Sequence, residues 1–382
     1  MRRITIVVGA LMLGSYLFYQ HSLPSAIVAT CEGAQYKNSC YNEVIDTTLR
    51  TRGLAAAFDV LALAYNADPG YLSTCHAETH ELGKAAYKEF HASGNVELTS
   101  KTSYCGYGFY HGFMDELVVE TNDFDEARGF CAYVGKVVLN PVGYAEGACY
   151  HGIGHGVTDG TDPRLWGNAE ALATPGLKLC ARIAKGSSDH EYRCASGVFN
   201  AVALLYRDQK YKLNVDGNPF SLCEISTLIS TEKEACYDQM NTLAMYAGEY
   251  DFARAINFTQ NISELKYRTI AIRGIAGTYF SNTRSRHRAV SAEEVSEVCG
   301  KLGEDADACI TGVVAGIQEF GTPGAEYKDM LAFCQSPDLD HALTATCYRA
   351  AISATQEFYG DTVVQHMCVS VPSAYQSAPC RI

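Results

Sequence analysis

The histidines in the first half of the chain fall into three short motifs. They are Cys75-His76-Ala77-Glu78-Thr79-His80, Tyr110-His111-Gly112-Phe113-Met114-Asp115, and His151-Gly152-Ile153-Gly154-His155-Gly156-Val157-Thr158-Asp159. On a helix, side chains four residues apart share a face, with Cβ atoms roughly 5–6 Å apart. The pairs His76/His80, His111/Asp115, His151/His155 and His155/Asp159 are therefore each spaced to share or flank a metal ion. Imidazole suits zinc, copper, iron and nickel, and an added carboxylate moves the preference toward zinc or iron. The expected metal-binding residues are His76, His80, His111, His151, His155, Asp115 and Asp159, with zinc the first choice and copper or iron the alternatives.

This set exceeds the four ligands of one zinc ion. It fits two ions, or one ion whose ligands are oriented by the remaining groups. In the second case Asp115 or Asp159 steadies a ligand imidazole. An ion with an open position would activate water or dioxygen. Glu78 is then the candidate proton shuttle, and Tyr110 or Tyr150 the candidate donor to a bound oxygen. A regular helix turns Glu78 about 200° away from either neighbouring His, which counts against its role. The His-x-Glu-x-His spacing also differs from the His-Glu-x-x-His of zinc proteases, so that activity is not expected.

The histidines recur in register. His111 and His155 each follow a cysteine by six residues, and Asp115 and Asp159 follow the same cysteines by ten. Cys105-Gly-Tyr-Gly, Cys149-Tyr-His-Gly, Cys194-Ala-Ser-Gly and Cys309-Ile-Thr-Gly share a glycine three residues on. These cysteines mark one recurring structural position, spaced by 44, 45 and 42 residues from Cys105 to Cys236. Taking Thr269 as a position that has lost its cysteine, the later steps are 33, 40, 38 and 33. Such a period is the size of a helical hairpin.

Segments such as Leu54–Tyr65 have helical composition, and alternating strand patterns are scarce. The expected fold is all-α, an irregular α-solenoid of disulfide-stapled helical hairpins with a repeat of about 33–45 residues. A compact helical bundle is the rival. Gly106, Gly108, Gly112, Gly152, Gly154 and Gly156 each weaken a helix by about 1 kcal/mol relative to Ala. Their clustering beside His implies close helix packing or room for a ligand. Asn200 and Ala315 stand where the earlier units carry His, which confines the expected site to the first half.

All 16 cysteines lie at or beyond Cys31, and none forms a Cys-x-x-Cys. That spacing argues against zinc fingers, thioredoxin-like motifs and attached haem. Eight disulfides in an oxidising compartment are the simplest reading, with the partners left open. Met1-Arg2-Arg3 precedes an apolar run from Ile4 to Phe18, the pattern of a secretory signal or an uncleaved signal anchor. The chain therefore divides into residues 1–30 as signal, 31–207 as helical repeats with the His-rich site, and 208–382 as mainly structural repeats. The expected location is extracytoplasmic: periplasmic, secreted or membrane-anchored facing outside. The membrane is met only through the N-terminal segment.

The formal net charge of −13, with no basic patch, excludes nucleic acid as a natural partner. There is no dinucleotide fingerprint or Gly-x-Ser-x-Gly elbow. Trp166 sits in a Gly/Pro-bounded insertion that either covers the histidines or forms an anchored loop. Three functions fit these residues. The first is an extracytoplasmic metalloprotein, an enzyme of oxidative or hydrolytic type included. The second is a scaffold or adhesion module with structural histidines, its protein partner meeting the solenoid surface. The third is a metal carrier or sensor.

Overall fold

The computed structural model describes residues 28–138, 144–158, 160–215, 217–286 and 288–381. The cationic head and apolar run expected to form a signal lie outside these residues, as do Asp159 and His287.

Every regular element among the described residues is helical. Local chemistry sets many of the helix ends. Asp123 accepts hydrogen bonds from the backbone N–H of Asp125 and Glu126, and so starts Phe124–Val137. Asn168 and Ser187 do the same for Ala169–Ala184 and Ser188–Leu205. Side-chain oxygens at these positions satisfy N–H groups that the first helical turn leaves unpaired. Gly94, in the left-handed region at φ 72°, closes Leu72–Ser93.

All eight disulfides join consecutive cysteines: 31–40, 75–105, 131–149, 180–194, 223–236, 299–309, 334–347 and 368–380. No described cysteine is free. Most of these bonds tie one helix to the next across a short connection. Loops of this length restrict the unfolded chain by about 3 kcal/mol each in the chain-entropy account. Thr269, at the position without a cysteine, instead donates to Asp305 Oδ1 at 2.9 Å, and Arg268 Nε donates to the other oxygen at 2.7 Å.

Eight helices build the centre of the molecule. They are α1 (Leu72–Ser93), α2 (Gly108–Thr121), α3 (Tyr144–Gly156), α4 (Ser188–Leu205), α5 (Ser230–Gln239), α6 (Leu265–Ser285), α7 (Ala306–Phe320) and α8 (His341–Tyr359). Each packs on the next in order. The last two also meet the first part of the chain again. Tyr65 donates to the Phe320 carbonyl at 2.9 Å, Gly106 N–H to the Glu319 carbonyl at 3.1 Å, and Tyr144 to Glu357 Oε2 at 3.0 Å. Between these helices lies a cavity of about 590 Å³ whose wall includes residues from α1 through α7. Both halves of the chain therefore contribute to it.

Glycine decides how closely α1 to α4 approach. A Cβ on Gly112 would lie 1.9 Å from the His80 carbonyl oxygen, and one on Gly154 the same distance from that of Cys194. Gly197 meets the His151 carbonyl at 1.9 Å in the same way. These are backbone contacts, so no side-chain rotation relieves them. They bring the histidine-bearing turns of neighbouring helices to backbone contact. We expect Gly112→Ala to push α1 and α2 apart and to destabilise the protein by about 1–3 kcal/mol. A lower urea midpoint at unchanged slope reports this. An unchanged midpoint would mean that the helices slide apart freely and that glycine is not what sets their separation.

Candidate metal centre

Helix α1 carries His76 and His80, α2 carries His111 and Asp115, and α3 carries His151 and His155. The three faces meet. The His76 ring lies 4.8 Å from that of His80 and 5.3 Å from that of His111, and His80 lies 5.1 Å from His111. His151 and His155 stack against His111 at 4.9 and 5.1 Å. One nitrogen each from His76, His80 and His111 lies within 4.8 Å of the others, close enough to hold one ion.

Hydrogen bonding sets the tautomers. His76 Nδ1 is 2.7 Å from the Cys105 carbonyl, which can only accept, so Nδ1 carries the proton. His151 Nδ1 is 2.8 Å from Ser196 Oγ, whose own hydrogen goes to the Arg193 carbonyl at 2.7 Å. His151 must therefore donate as well. Asp115 lies between two further rings, with Oδ2 3.9 Å from His80 Nδ1 and Oδ1 3.7 Å from His155 Nδ1. Nε2 of His76 and of His151, each with its proton on Nδ1, is therefore left as a lone pair.

His80 Nε2 and His76 Nε2 are 3.1 Å apart. Without an ion, His80 Nε2 carries the proton and donates to the lone pair of His76 Nε2. A cation between them would take the place of that proton and accept from both nitrogens. Tetrahedral zinc with its usual bond lengths to imidazole sets two ligand nitrogens about 3.3 Å apart. Buried His111 completes the group of three, and its Nδ1 makes no hydrogen bond.

The electrostatics keep these rings neutral. Burial lowers the pKa of His80 to about 3, with repulsion from His76, His155 and Lys84 adding to it. Burial, then His155, Arg193 and His76, lower His151 to about 3. His76 is lowered by burial, against the opposing pull of the Cys105 carbonyl. His111 falls well below its ordinary value through burial and then the four surrounding imidazoles. Neutral imidazole is the form a metal binds.

The proton-handling candidates are not brought to this cluster. Buried Glu78 has one oxygen without a hydrogen-bond partner. Burial raises its pKa to about 7, and its charged neighbours are Asp46 and Glu81 rather than imidazoles. The helical turn between positions 76 and 78 sends it to another face of α1. Tyr110 points into the core, where its hydroxyl hydrogen-bonds Thr102 Oγ1 at 2.8 Å. It is next to His111 in sequence but about 100° round the helix. Tyr150 stacks on His190 at 4.1 Å. Trp166 donates to the Gly160 carbonyl at 2.8 Å and packs edge-on to Tyr211, an anchored loop.

The cavity beside the imidazoles contains residues that motif reading missed. Its wall includes Tyr107, Tyr192, Arg193, Asp238, Arg273 and Glu319 together with His76, His111 and His151. A signal for some of them was present. Tyr107, His151, Ser196 and Asp238 all stand two residues after Cys105, Cys149, Cys194 and Cys236. Reading that register for any polar residue, rather than for histidine alone, finds the wall continuing into the second half.

Comparison with known proteins found no matching protein family, no matching curated protein and no matching solved structure.

Proposed function

We propose that the protein is an exported metal-binding protein in which His76 Nε2, His80 Nε2 and His111 hold a transition-metal ion, zinc first and copper or iron next. The observation that carries this is one nitrogen each from His76, His80 and His111 within 4.8 Å of one another, with His76 Nε2 and His80 Nε2 3.1 Å apart. His151 and His155 either bind a second ion or support the first, with Asp115 orienting His80 and His155. The surrounding architecture is an irregular α-solenoid of stapled hairpins whose ends meet around a central cavity.

Two of the proposed ligands, His76 and His111, line that cavity. An ion there keeps a face toward space of the size that small molecules occupy. This favours a metalloenzyme of hydrolytic or oxidative type over a closed structural site. A carrier or sensor would use the same ligands without turnover. Export is supported by the eight disulfides, which persist in oxidising compartments. No described helix is long and apolar enough to cross a membrane.

The test is elemental analysis of protein purified without a polyhistidine tag, followed by cobalt substitution and visible absorption. We expect at least one equivalent of metal per chain and the absorption bands of a low-symmetry cobalt site. Clearly substoichiometric zinc, copper and iron, with no uptake of cobalt, would reject the metal reading and leave a scaffold with structural histidines.

A further inference from the structure

The same cavity holds two cationic groups that the metal reading does not use. Arg193 lies along Gly147, one turn before His151, with its guanidinium carbon 5.5 Å from the Tyr144 ring centre and 5.7 Å from that of Tyr192. Its Nε is buried without a hydrogen bond, and the nearest carboxylate oxygen, on Asp189, is 3.7 Å away. Arg273 lines the cavity with an exposed side chain and has no ion pair or side-chain hydrogen bond among the described residues. Both guanidiniums act on the same two phenols. They oppose the upward pKa shift that burial imposes on Tyr144 and Tyr192, so their positive fields overlap there.

The acids nearby direct their oxygens at other donors. Asp238 Oδ2 accepts from Tyr192 at 3.0 Å and from Gln239 at 2.8 Å, and Glu357, outside the wall, accepts from Tyr144 at 3.0 Å. Burial, and then Asp238, push the Glu319 carboxyl up to about 7 against the pull of Arg193. Arg193 thus has only the distant Asp189 carboxylate, and the Arg273 fork has no oxygen partner among the described residues. A planar fork of N–H donors matches a carboxylate or phosphate, and Arg binds such groups with two parallel hydrogen bonds.

We propose that Arg193 and Arg273 form an oxyanion subsite of the cavity. It takes the carboxylate or phosphate head of a small organic molecule whose remainder reaches toward His76, His111 and His151. The arginine end stands on its own, and only the direction of the far end rests on the metal reading. A cavity of about 590 Å³ fits a ligand of that class.

The test is calorimetric titration of the full, disulfide-intact chain with succinate and with inorganic phosphate, on metal-loaded and metal-stripped protein. We expect saturable binding in both forms, with the tighter probe identifying the headgroup. Arg273→Gln, at an exposed and unpaired side chain that should not disturb folding, is expected to weaken binding about tenfold or more. It should leave the metal content unchanged. Arg254→Gln, at an exposed residue paired with Glu249, should change nothing. Three results overturn the proposal: no saturable binding of either probe, equal affinity in Arg273→Gln, or binding only when metal is loaded, which would make the anion a metal ligand. Arg273-dependent binding to a chain that carries no metal as purified and takes up no cobalt would sink the metal reading and leave this subsite standing.

Discussion

Replacing His111 with Ala is expected to abolish stoichiometric metal binding and to weaken affinity more than about 100-fold. Its ring is buried, and it stands between the α1 pair and the α3 pair, in contact with all four other imidazoles. Removing it breaks the one group of three among the described residues whose ligand atoms lie within 4.8 Å of one another. His80→Ala should be nearly as severe, since it removes one of the two facing Nε2 atoms. Asp115→Asn should be milder, about 10–100-fold, because it alters only what orients His80 and His155. Competition with a chromophoric chelator gives the affinities, and far-ultraviolet circular dichroism checks that each variant is folded. Wild-type affinity in His111→Ala would remove this ring from the site.

Acid is expected to destabilise the metal-stripped protein steeply between pH about 6.5 and 4. The sign follows from the direction of the shifts. His80 and His151 have folded-state pKa values lowered to about 3, against about 6.5 in the unfolded chain. Below pH 6.5 the unfolded state binds protons that the folded state refuses, so stability falls as pH falls. It is fully present above 6.5 and lost progressively toward 3. His76 and His111 shift in the same direction and add to the loss. The combined effect by pH 4 is on the order of several kcal/mol. Urea midpoints measured at pH 7, 6, 5 and 4 read it directly. His151→Gln should flatten the profile, because glutamine does not titrate. Bound metal should raise stability at pH 7 and lose that advantage on acidification, since protons compete for the same nitrogens. Equal stability of the metal-stripped protein at pH 7 and pH 4 would show that the imidazoles are not held neutral by burial.

These results bear on why the rings are gathered. A seam of five histidines with no ion is a poor way to stabilise a fold. Burial costs these rings hydration, and His111 Nδ1 is left without a partner. A cation changes the sign of these terms. The glycines that admit the close approach carry their own helix-propensity cost, which backbone contact with the neighbouring helix must offset.

Local chemistry made part of this protein readable. The even cysteine count without Cys-x-x-Cys pointed to disulfides in an oxidising compartment, and eight bonds between consecutive cysteines are found. Spacing of four put His76 with His80 and His151 with His155 on common helical faces, because α-helix geometry depends only on nearby residues. The shared register after Cys105 and Cys149 placed His111 near His155. The same local rule also counted against Glu78, two positions from either histidine.

Tertiary structure decided the rest. The Cys105 carbonyl and Ser196, far along the chain from the rings they contact, fix which nitrogen of His76 and His151 stays free. The return of α7 and α8 to Tyr65, Gly106 and Tyr144 brings both ends of the helix order to one cavity and sets Phe320 against His76. Arg193 and Arg273, distant in the sequence, line one cavity only in the folded chain. The physical reason is range: periodicity and capping are set within a few residues, whereas which faces meet depends on contacts between segments tens to hundreds of residues apart, and these leave no local pattern to read.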